Sequence, residues 1–294
     1  MTPAFARFTA PARRRPELWR LVLGLGIIAA CYFGWIAAMS GLLWLIPGPE
    51  RLNAGLRGVG PGGDPWSVIA LLFTFVGPWV GTWAAVRLLH GRSLGSVIGR
   101  GPVVLRDFVA GLVVTALAAL AGLLLLPFAP PLEPATPAAI WLAFLPLALF
   151  GLLIQTGAEE VVFRGYMQQQ LAARFATPVI WMGLPAALFG LAHYAPGIEP
   201  VSPWLIVLVT GFFGLIAADL TARSGNIGIA WGLHFANNVL AVLVISAMAG
   251  LDGLALFRIA DVNAGAMGLE ALLVADMALM ALVWALARLW LRHR

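Results

Sequence analysis

Long uninterrupted apolar runs recur along the whole chain, and short segments rich in glycine, proline and arginine separate them. Each run has about the 17 to 25 residues that an α-helix needs to cross the hydrocarbon core of a bilayer. Backbone groups in lipid must be hydrogen-bonded within their own segment, so these runs are expected to be helices. The pattern predicts an all-α, polytopic transmembrane helical bundle of about eight spans. We place the spans at 19–46, 66–89, 103–127, 138–157, 178–193, 203–221, 226–249 and 267–290.

The composition excludes an ordinary water-soluble domain. Of the 294 residues, 61% are hydrophobic and 11% are charged, whereas soluble domains have about 25% charged residues. The lipid bilayer is therefore the expected surroundings of the chain.

The basic residues predict how the bundle is oriented. All 18 are arginines, and cytoplasmic loops near span ends accumulate positive charge. With a cytoplasmic N-terminus, 15 arginines lie on the inner side and three, Arg51, Arg57 and Arg258, on the outer side, so both termini are predicted to be cytoplasmic. A net charge of +5 fits a basic inner face beside anionic lipid and needs no nucleic-acid partner. The lone Cys31 and the compact bundle favour a bacterial inner (cell) membrane.

Proline-rich and polar segments divide the chain into three predicted parts. Residues 1–137 hold three scaffold spans in which no ionisable residue is expected to be buried. Residues 138–250 collect the unusual polar residues and form the predicted catalytic core. Residues 251–294 form the final span and a cytoplasmic C-terminus. Nothing in the sequence determines the oligomeric state.

The first polar cluster follows the apolar run at 140–154 and contains Glu159, Glu160 and Arg164. A charged group at membrane depth costs about 2.5 to 3.5 kcal/mol on insertion scales, so it calls for a partner or a role. On a helix, Glu160 and Arg164 lie one turn apart in the order that favours an ion pair. Glu159 points about 100° away and is left for another role.

Two further clusters hold histidines. His193 ends a short apolar run, where a lone histidine is more often an interfacial residue. His234 and Asn238 lie one turn apart on one helical face inside another apolar run. Interhelical hydrogen bonding explains that second pair as well as a catalytic role does.

Together the clusters supply a carboxylate, two imidazoles and a carboxamide, and this set suits hydrolysis. Glu159 among apolar helices is expected to act as a general base. His193 is expected to orient the attacking water, while His234 and Asn238 donate to the developing oxyanion. Glu159, His193 and His234 also make the two-His, one-carboxylate set of catalytic zinc sites, and the sequence leaves both mechanisms open. The His-Glu-x-x-His pattern of soluble zinc proteases is absent.

The order of these clusters resembles the type II CAAX prenyl endopeptidase-like family of intramembrane proteases, also called the CPBP or Abi family. The motifs that carry the resemblance are Glu159-Glu160-x-x-x-Arg164, Phe189-x-x-x-His193 and His234-x-x-x-Asn238, with the Gly211–Gly225 stretch between the last two. The resemblance covers about residues 150–245. Any one motif is weak, but three in order within a polytopic protein are specific.

The resemblance implies an intramembrane endopeptidase acting on a membrane-associated peptide, which in this family is prenylated or of a bacteriocin or signal type. The residues that it implies are Glu159 as the catalytic carboxylate, Glu160 and Arg164 as its structural companions, and His193, His234 and Asn238 as the rest of the site. Family members are described as metalloproteases or as metal-independent glutamate proteases. We favour the second description, with no cofactor; zinc or another divalent metal remains the alternative.

Two other functions fit the same polar residues: a proton-coupled transporter, and a non-catalytic immunity or scaffold protein. The acids Asp219 and Asp276 are expected to be partnered or to face the interface, and His90 and His293 to be solvated.

The predicted depths conflict with a single site that contains both Glu159 and His193. Glu159 is predicted at the cytoplasmic end of its span, whereas His193 is about 22 Å from Pro178 at helical rise.

Overall fold

The computed structural model describes residues 1–44, 50, 64–196, 201–247, 252–259 and 268–293. The α-helices in these residues are α1 (Pro3–Thr9), α2 (Leu18–Trp44), α3 (Pro65–Thr74), α4 (Val76–Leu88), α5 (Gly95–Ile98), α6 (Gly101–Gly122), α7 (Ala138–Glu160), α8 (Gln168–Arg174), α9 (Leu184–Leu191), α10 (Pro203–Ser224), α11 (Gly228–Val239) and α12 (Leu269–Arg292). Three π-helical stretches, Val161–Met167, Val179–Gly183 and Leu240–Val244, continue these helices. Short 3₁₀ helices cover Ala12–Arg14, Leu123–Phe128 and Asp252–Leu254. Arg51, Arg57 and Arg294 lie outside the described residues.

A small three-stranded sheet closes one end of the bundle. It contains β1 (Leu132–Pro134), β2 (Ile245–Ser246) and β3 (Phe257–Ile259). The central strand β3 pairs antiparallel with β1 and parallel with β2. We call this end of the bundle the sheet end and the opposite end, where α1 lies, the arginine end.

The predicted polytopic helical bundle is confirmed. Within the described residues, six helical segments are long and apolar enough to cross a membrane: Leu18–Leu42, Pro65–Leu88, Gly101–Gly122, Ala138–Arg174, Pro203–Ser224 and Leu269–Arg292. Two shorter apolar helices, Val179–Leu191 and Gly228–Val244, correspond to the fifth and seventh predicted spans.

One predicted boundary is wrong, and the error affects the position of the site. The span placed at 138–157 continues without a break to Arg174, over 37 residues. Its charged residues Glu160 and Arg164 do not mark an exit into water, because both are buried and paired with each other. Glu159 therefore lies well inside a long helix and not at its end, which removes the conflict of depth with the short histidine-bearing helix.

Helix α1 packs into the arginine end of the bundle and belongs to its core. Phe5 is fully buried, and its ring centroid lies 5.1 Å from that of Trp181. The Thr2 hydroxyl donates a 2.6 Å hydrogen bond to the Ala222 carbonyl at the end of α10. Gly225 ends α10 with φ of 71°, and an added Cβ there would lie 2.6 Å from a carbonyl oxygen of α1. The left-handed glycine cap has no side chain, so α1 can pack directly against the end of α10.

Helices α6 and α11 are in close contact over their glycines. A Cβ added to Gly111 would lie 2.5 Å from the Ile229 carbonyl oxygen, and one added to Gly232 would overlap the Phe108 carbonyl oxygen. Small residues at such positions let helices approach in lipid, where packing drives association. This contact fixes α11, which carries His234, against the scaffold spans.

The expectation that residues 1–137 bury no ionisable side chain is wrong. Asp107 of α6 is fully buried. It lies 2.9 Å from the Arg106 guanidinium and accepts a 2.8 Å hydrogen bond from Asn226. The Asn226 side chain also accepts from the Gly228 backbone N–H, a local turn that leads into α11. These partners explain how the carboxylate is accommodated.

Candidate active site

Helices α7 and α11 bring the acidic and the histidine clusters to one depth. Gln155 of α7 contacts Asn238 of α11, and one turn further along α7, Glu159 contacts His234. The residue number rises on one helix as it falls on the other, so the two helices run antiparallel. Gly157 permits the approach, because an added Cβ would lie 2.5 Å from a tryptophan ring of α11.

The two glutamates flank one imidazole. Oε1 of the fully buried Glu160 lies 2.8 Å from Nδ1 of His234 and 3.1 Å from a guanidinium nitrogen of Arg164. The opposite ring nitrogen of His234, Nε2, lies 3.4 Å from Oε2 of Glu159. An Nδ1–H donating to Glu160 orients the ring so that Nε2 faces the Glu159 carboxylate. The predicted ion pair of Glu160 with Arg164 is confirmed.

Three polar atoms of this cluster are buried without a hydrogen-bond partner in the described residues: Oε2 of Glu159, Oε2 of Glu160 and Nη2 of Arg164. The Glu159 side chain retains 12% of its accessible surface, whereas that of Glu160 retains none. Buried polar groups in native proteins are almost always satisfied, so unpaired ones call for an explanation such as catalysis. Glu159 is the carboxylate that water or a substrate can reach.

Aromatic rings enclose the charged cluster. The Phe189 centroid lies 4.4 Å from the Arg164 guanidinium carbon and 5.9 Å from the His234 centroid. Phe213 of α10 lies 5.0 Å from His234 on another side. These rings exclude water and strengthen the electrostatic interactions among the charges. Phe213 was not singled out in the sequence because a phenylalanine in an apolar span carries no distinguishing signal.

A π-helical stretch follows Glu160 directly, over Val161–Met167, and contains Arg164. Such stretches are rare and occur frequently at functional sites. Hydrophobic periodicity does not reveal one, because it changes the helical register by only one residue.

His193 lies apart from the carboxylates. It follows the end of α9, and its Nδ1 is 2.8 Å from the Phe189 carbonyl oxygen. Its ring packs against the Phe189 ring at 4.7 Å between centroids. Within the described residues no hydrogen bond or ion pair joins His193 to Glu159. Phe189 thus separates the two histidines, and the described residues offer no hydrogen-bond partner to Nε2 of His193.

Asn238 and His234 share one face of α11, as their spacing predicts. The Asn238 amide donates a 2.9 Å hydrogen bond to the Gln155 side-chain oxygen. Gln155 was missed by the sequence reasoning. The available signal was its position four residues before Glu159, which places both on one face of α7.

The donor set for a metal ion is incomplete in this arrangement. Glu159 and His234 are neighbours, but His193 does not reach them. No group of three or more His, Cys, Asp or Glu side chains able to hold a metal occurs in the described part of the chain. A zinc ion held by the predicted set would require His193 to move towards Glu159.

Residues 139–240 match the profile of a family described as Rce1-like, the type II CAAX prenyl endopeptidase Rce1-like proteins. This stretch is an Rce1-like domain. It contains all six predicted site residues and the aromatic rings around them, and the predicted family is confirmed. The Rce1-like domain spans about a third of the chain.

A curated relative matches over a similar length. "Uncharacterized protein YyaK" of Bacillus subtilis (strain 168) is 35% identical over 109 residues, which cover 36% of this chain and 35% of that protein. The match thus spans about a third of the relative's length. No solved structure matches the chain.

A second polar network lies at the arginine end, next to the Rce1-like domain's π-helical stretch. His90 is buried, and its Nδ1 accepts a hydrogen bond from the Gln170 amide at 3.0 Å. The other ring nitrogen then carries the proton and donates to the Tyr166 hydroxyl at 2.9 Å, and this hydroxyl donates to the Arg20 carbonyl. The expectation that His90 is solvated is therefore wrong, because three helices converge on this residue. The same expectation for His293 is confirmed, because its side chain is exposed.

Burial, followed by the positive charge of Arg92, lowers the pKa of His90 to about 4. Burial also lowers the pKa of Arg92 to about 10, so its guanidinium is still charged at neutral pH. Arg92 donates to the Gln169 side chain. The network thus holds a neutral histidine beside a charged arginine.

Proposed function

We propose that the protein is an intramembrane endopeptidase that hydrolyses a peptide bond in a membrane-associated peptide. The observation that carries the proposal is the position of Glu159: its buried Oε2 has no hydrogen-bond partner among the described residues and lies 3.4 Å from Nε2 of His234 in an aromatic enclosure. A carboxylate with no permanent partner, beside an oriented imidazole, is suited to general-base catalysis. Family membership of the Rce1-like domain supports the same reaction class.

In the proposed reaction, Glu159 takes a proton from water as the water oxygen attacks the peptide carbonyl carbon. The carbonyl electrons move to oxygen and form the oxyanion. The amide nitrogen then takes the proton from Glu159 as the C–N bond breaks, which leaves a carboxylic acid and an amine. This mechanism uses the carboxylate to activate water and is of the glutamate type.

Hydrogen-bond donors for the oxyanion are available on α11. His234 is held at Nδ1 by Glu160 and directs its Nε2 into the space beside Glu159, where it is proposed to contact the oxyanion. Asn238 uses one amide N–H for Gln155 and has a second to donate. Removal of one such donor costs about 100- to 1000-fold in rate. His193 is proposed to guide the substrate or the water with its Nε2.

The arginine end is proposed to face the cytoplasm of a bacterial cell, because basic residues accumulate on that side. Arg15 and Arg20 both donate there to the Leu89 carbonyl, and Arg223 pairs with Asp219. A labelling experiment on single cysteines added to α1 at the arginine end and to strand β1 at the sheet end tests this orientation.

The proposed activity is tested with purified protein on labelled prenylated and transmembrane peptides. Glu159→Gln is expected to lower kcat by at least about 1000-fold, because the residual carboxamide cannot accept a proton. Glu17→Gln, a change of an acid near the start of α2 and outside the site, is the matched control and is expected to keep full activity. A chelator is expected to have no effect.

Three results would contradict the proposal. Cleavage that survives both Glu159→Gln and His234→Ala would remove the site from the reaction. Substrate flux in proteoliposomes without peptide cleavage, abolished by the same variants, would indicate a proton-coupled transporter. Full biological effect of both variants in cells would indicate a protein that acts by binding alone.

A further inference from the structure

A cavity of about 70 Å³ lies between α6, α10, α11 and α12, beside the candidate site. Its wall is mostly apolar, but it includes one polar residue from each of three helices: Thr115, Asn237 and Asp276. The cavity has room for several water molecules or a short alkyl chain. None of these three residues takes part in the proposed hydrolysis.

Asp276 is a carboxylate at membrane depth with no hydrogen-bond or ion-pair partner among the described residues. It lies seven residues after Leu269, so helical rise places it about 10 Å below the start of α12. No hydrogen bond or ion pair to it occurs in the described part of the chain, whereas the other acid in an apolar run, Asp219, pairs with Arg223 and Arg288. A lone acid at this depth calls for a partner or a role.

Thr115 is a second polar residue of the cavity wall that calls for a hydrogen-bond partner. Its side chain is 8% exposed, and its hydroxyl oxygen is buried with no hydrogen-bond partner among the described residues. The residues that line the cavity thus include one carboxylate, one carboxamide and one hydroxyl side chain, all able to accept hydrogen bonds, and no basic residue. The apolar wall with three acceptors matches an apolar chain that ends in a cation with several N–H donors.

We propose that this cavity binds a primary alkylammonium group, and that its natural occupant is a lysine side chain of the substrate. An ammonium carries three N–H donors and no acceptor, which fits the oxygens of Thr115, Asn237 and Asp276. A guanidinium has five donors in a rigid planar fork and fits this small cavity less well. The identification with a substrate lysine rests on the proposed protease function, whereas ammonium binding does not.

The position of the cavity relates it to the cleavage site. Phe213 lines the cavity, and its ring also lies 5.0 Å from the His234 ring. Asn237 lies next in sequence to Asn238 and lines the cavity, whereas Asn238 faces α7. A lysine in the cavity would thus lie one aromatic ring away from the reacting carbonyl, and the cavity would select which peptide bond is cut.

Binding is tested without catalysis, with n-butylammonium as a copy of the lysine side chain. The purified protein in a neutral detergent is expected to show a saturable rise in Tm of about 2 to 4 °C at ten times the Kd. Asp276→Asn, which removes the charge and keeps the shape, is expected to abolish the rise. Glu270→Gln changes an acid in the first turn of the same helix and is expected to leave the rise unchanged.

Four results would overturn ammonium binding: no rise in Tm, an equal rise with 1-butanol, an equal rise with sodium chloride, or a full rise in Asp276→Asn. Glu159→Gln must bind n-butylammonium as the unsubstituted protein does, so this test stands even if no peptide is cleaved. Loss of the rise in nanodiscs with phosphatidylethanolamine, but not in those with phosphatidylcholine, would make a lipid headgroup the occupant and overturn the substrate lysine.

The substrate lysine is tested by cleavage of two peptides that differ in lysine or norleucine at one position. The lysine peptide is expected to have a kcat/KM at least about 10-fold higher, which corresponds to one tenfold step in transition-state binding. In Asp276→Asn the ratio of the two values is expected to fall to about one, because the charge that selects lysine is gone. A lysine preference at no position, or one that survives Asp276→Asn, contradicts the assignment.

Discussion

Glu160 contacts both Arg164 and His234 through a single oxygen atom. This atom is Oε1, and all three side chains are buried. Breaking a buried ion pair by removing one partner leaves an uncompensated charge and costs about 3 to 5 kcal/mol. The Arg164 guanidinium therefore supports the orientation of His234 through Glu160.

Arg164→Leu is expected to lower the free energy of unfolding by about 3 to 5 kcal/mol, because it leaves the Glu160 carboxylate buried without its cation. Unfolding in a detergent titration measures the loss. The double variant Glu160→Gln with Arg164→Leu is expected to recover part of it, since the carboxamide is neutral. Equal losses in the single and the double variant would contradict the role of the charge.

At the scale of helices, the site depends on how closely α11 approaches its neighbours. The contact of α11 with α6 has no room for side-chain atoms at Gly232, and its contact with α7 has none at Gly157. His234 lies two residues after Gly232. A shift of α11 relative to α7 therefore changes the distance between His234 and the two glutamates.

Gly232→Ala is expected to destabilise the bundle and to lower activity by more than 10-fold. The added Cβ would overlap the Phe108 carbonyl oxygen, and a backbone atom cannot move aside without moving its helix. Gly26→Ala is the matched control, because a Cβ there meets nothing within 4 Å. Unfolding and peptide cleavage are measured on both variants. Normal activity of Gly232→Ala would contradict a rigid contact between α6 and α11.

At the scale of the whole molecule, the network around His90 joins segments far apart in sequence. The imidazole connects the end of α4 with the π-helical stretch and α8 through Tyr166 and Gln170. The Tyr166 hydroxyl continues to the backbone of Arg20 in α2. The network thus holds the arginine end together and supports the helix that carries the candidate acid.

The His90 network predicts that the protein loses stability in mild acid. The folded protein lowers the pKa of His90 to about 4, from 6.5, so the unfolded chain binds a proton first as the pH falls. The stabilisation is complete above pH 6.5 and decreases as the pH falls towards 4. After allowance for solvent screening, the loss is expected to be about 1 to 2 kcal/mol.

His90→Gln is expected to flatten this pH dependence, because the carboxamide does not titrate. The free energy of unfolding is measured at several pH values between 7.5 and 4. His293→Gln removes an exposed histidine and is expected to keep the unsubstituted slope. Parallel curves for the unsubstituted protein and His90→Gln would contradict the assignment.

The sequence by itself determined the class of fold and the identity of the charged cluster. Apolar runs in lipid have no alternative to helices, because every backbone group must find its partner inside the segment. The four-residue spacing of Glu160 with Arg164 also predicts their ion pair, since it depends on helical geometry alone. Both conclusions depend only on interactions between residues that are close in sequence.

Only the tertiary structure decided which polar residues meet. The pairs Glu159 with His234 and Gln155 with Asn238 depend on the antiparallel packing of α7 against α11, which no local pattern encodes. The separation of His193 from Glu159 by the Phe189 ring depends in the same way on where α9 lies. The sequence did not predict that the helix extends from Ala138 to Arg174, because its charged residues are neutralised by partners within the bundle. Distances between helices arise from close packing of many side chains at once, and a sequence read one segment at a time does not contain them.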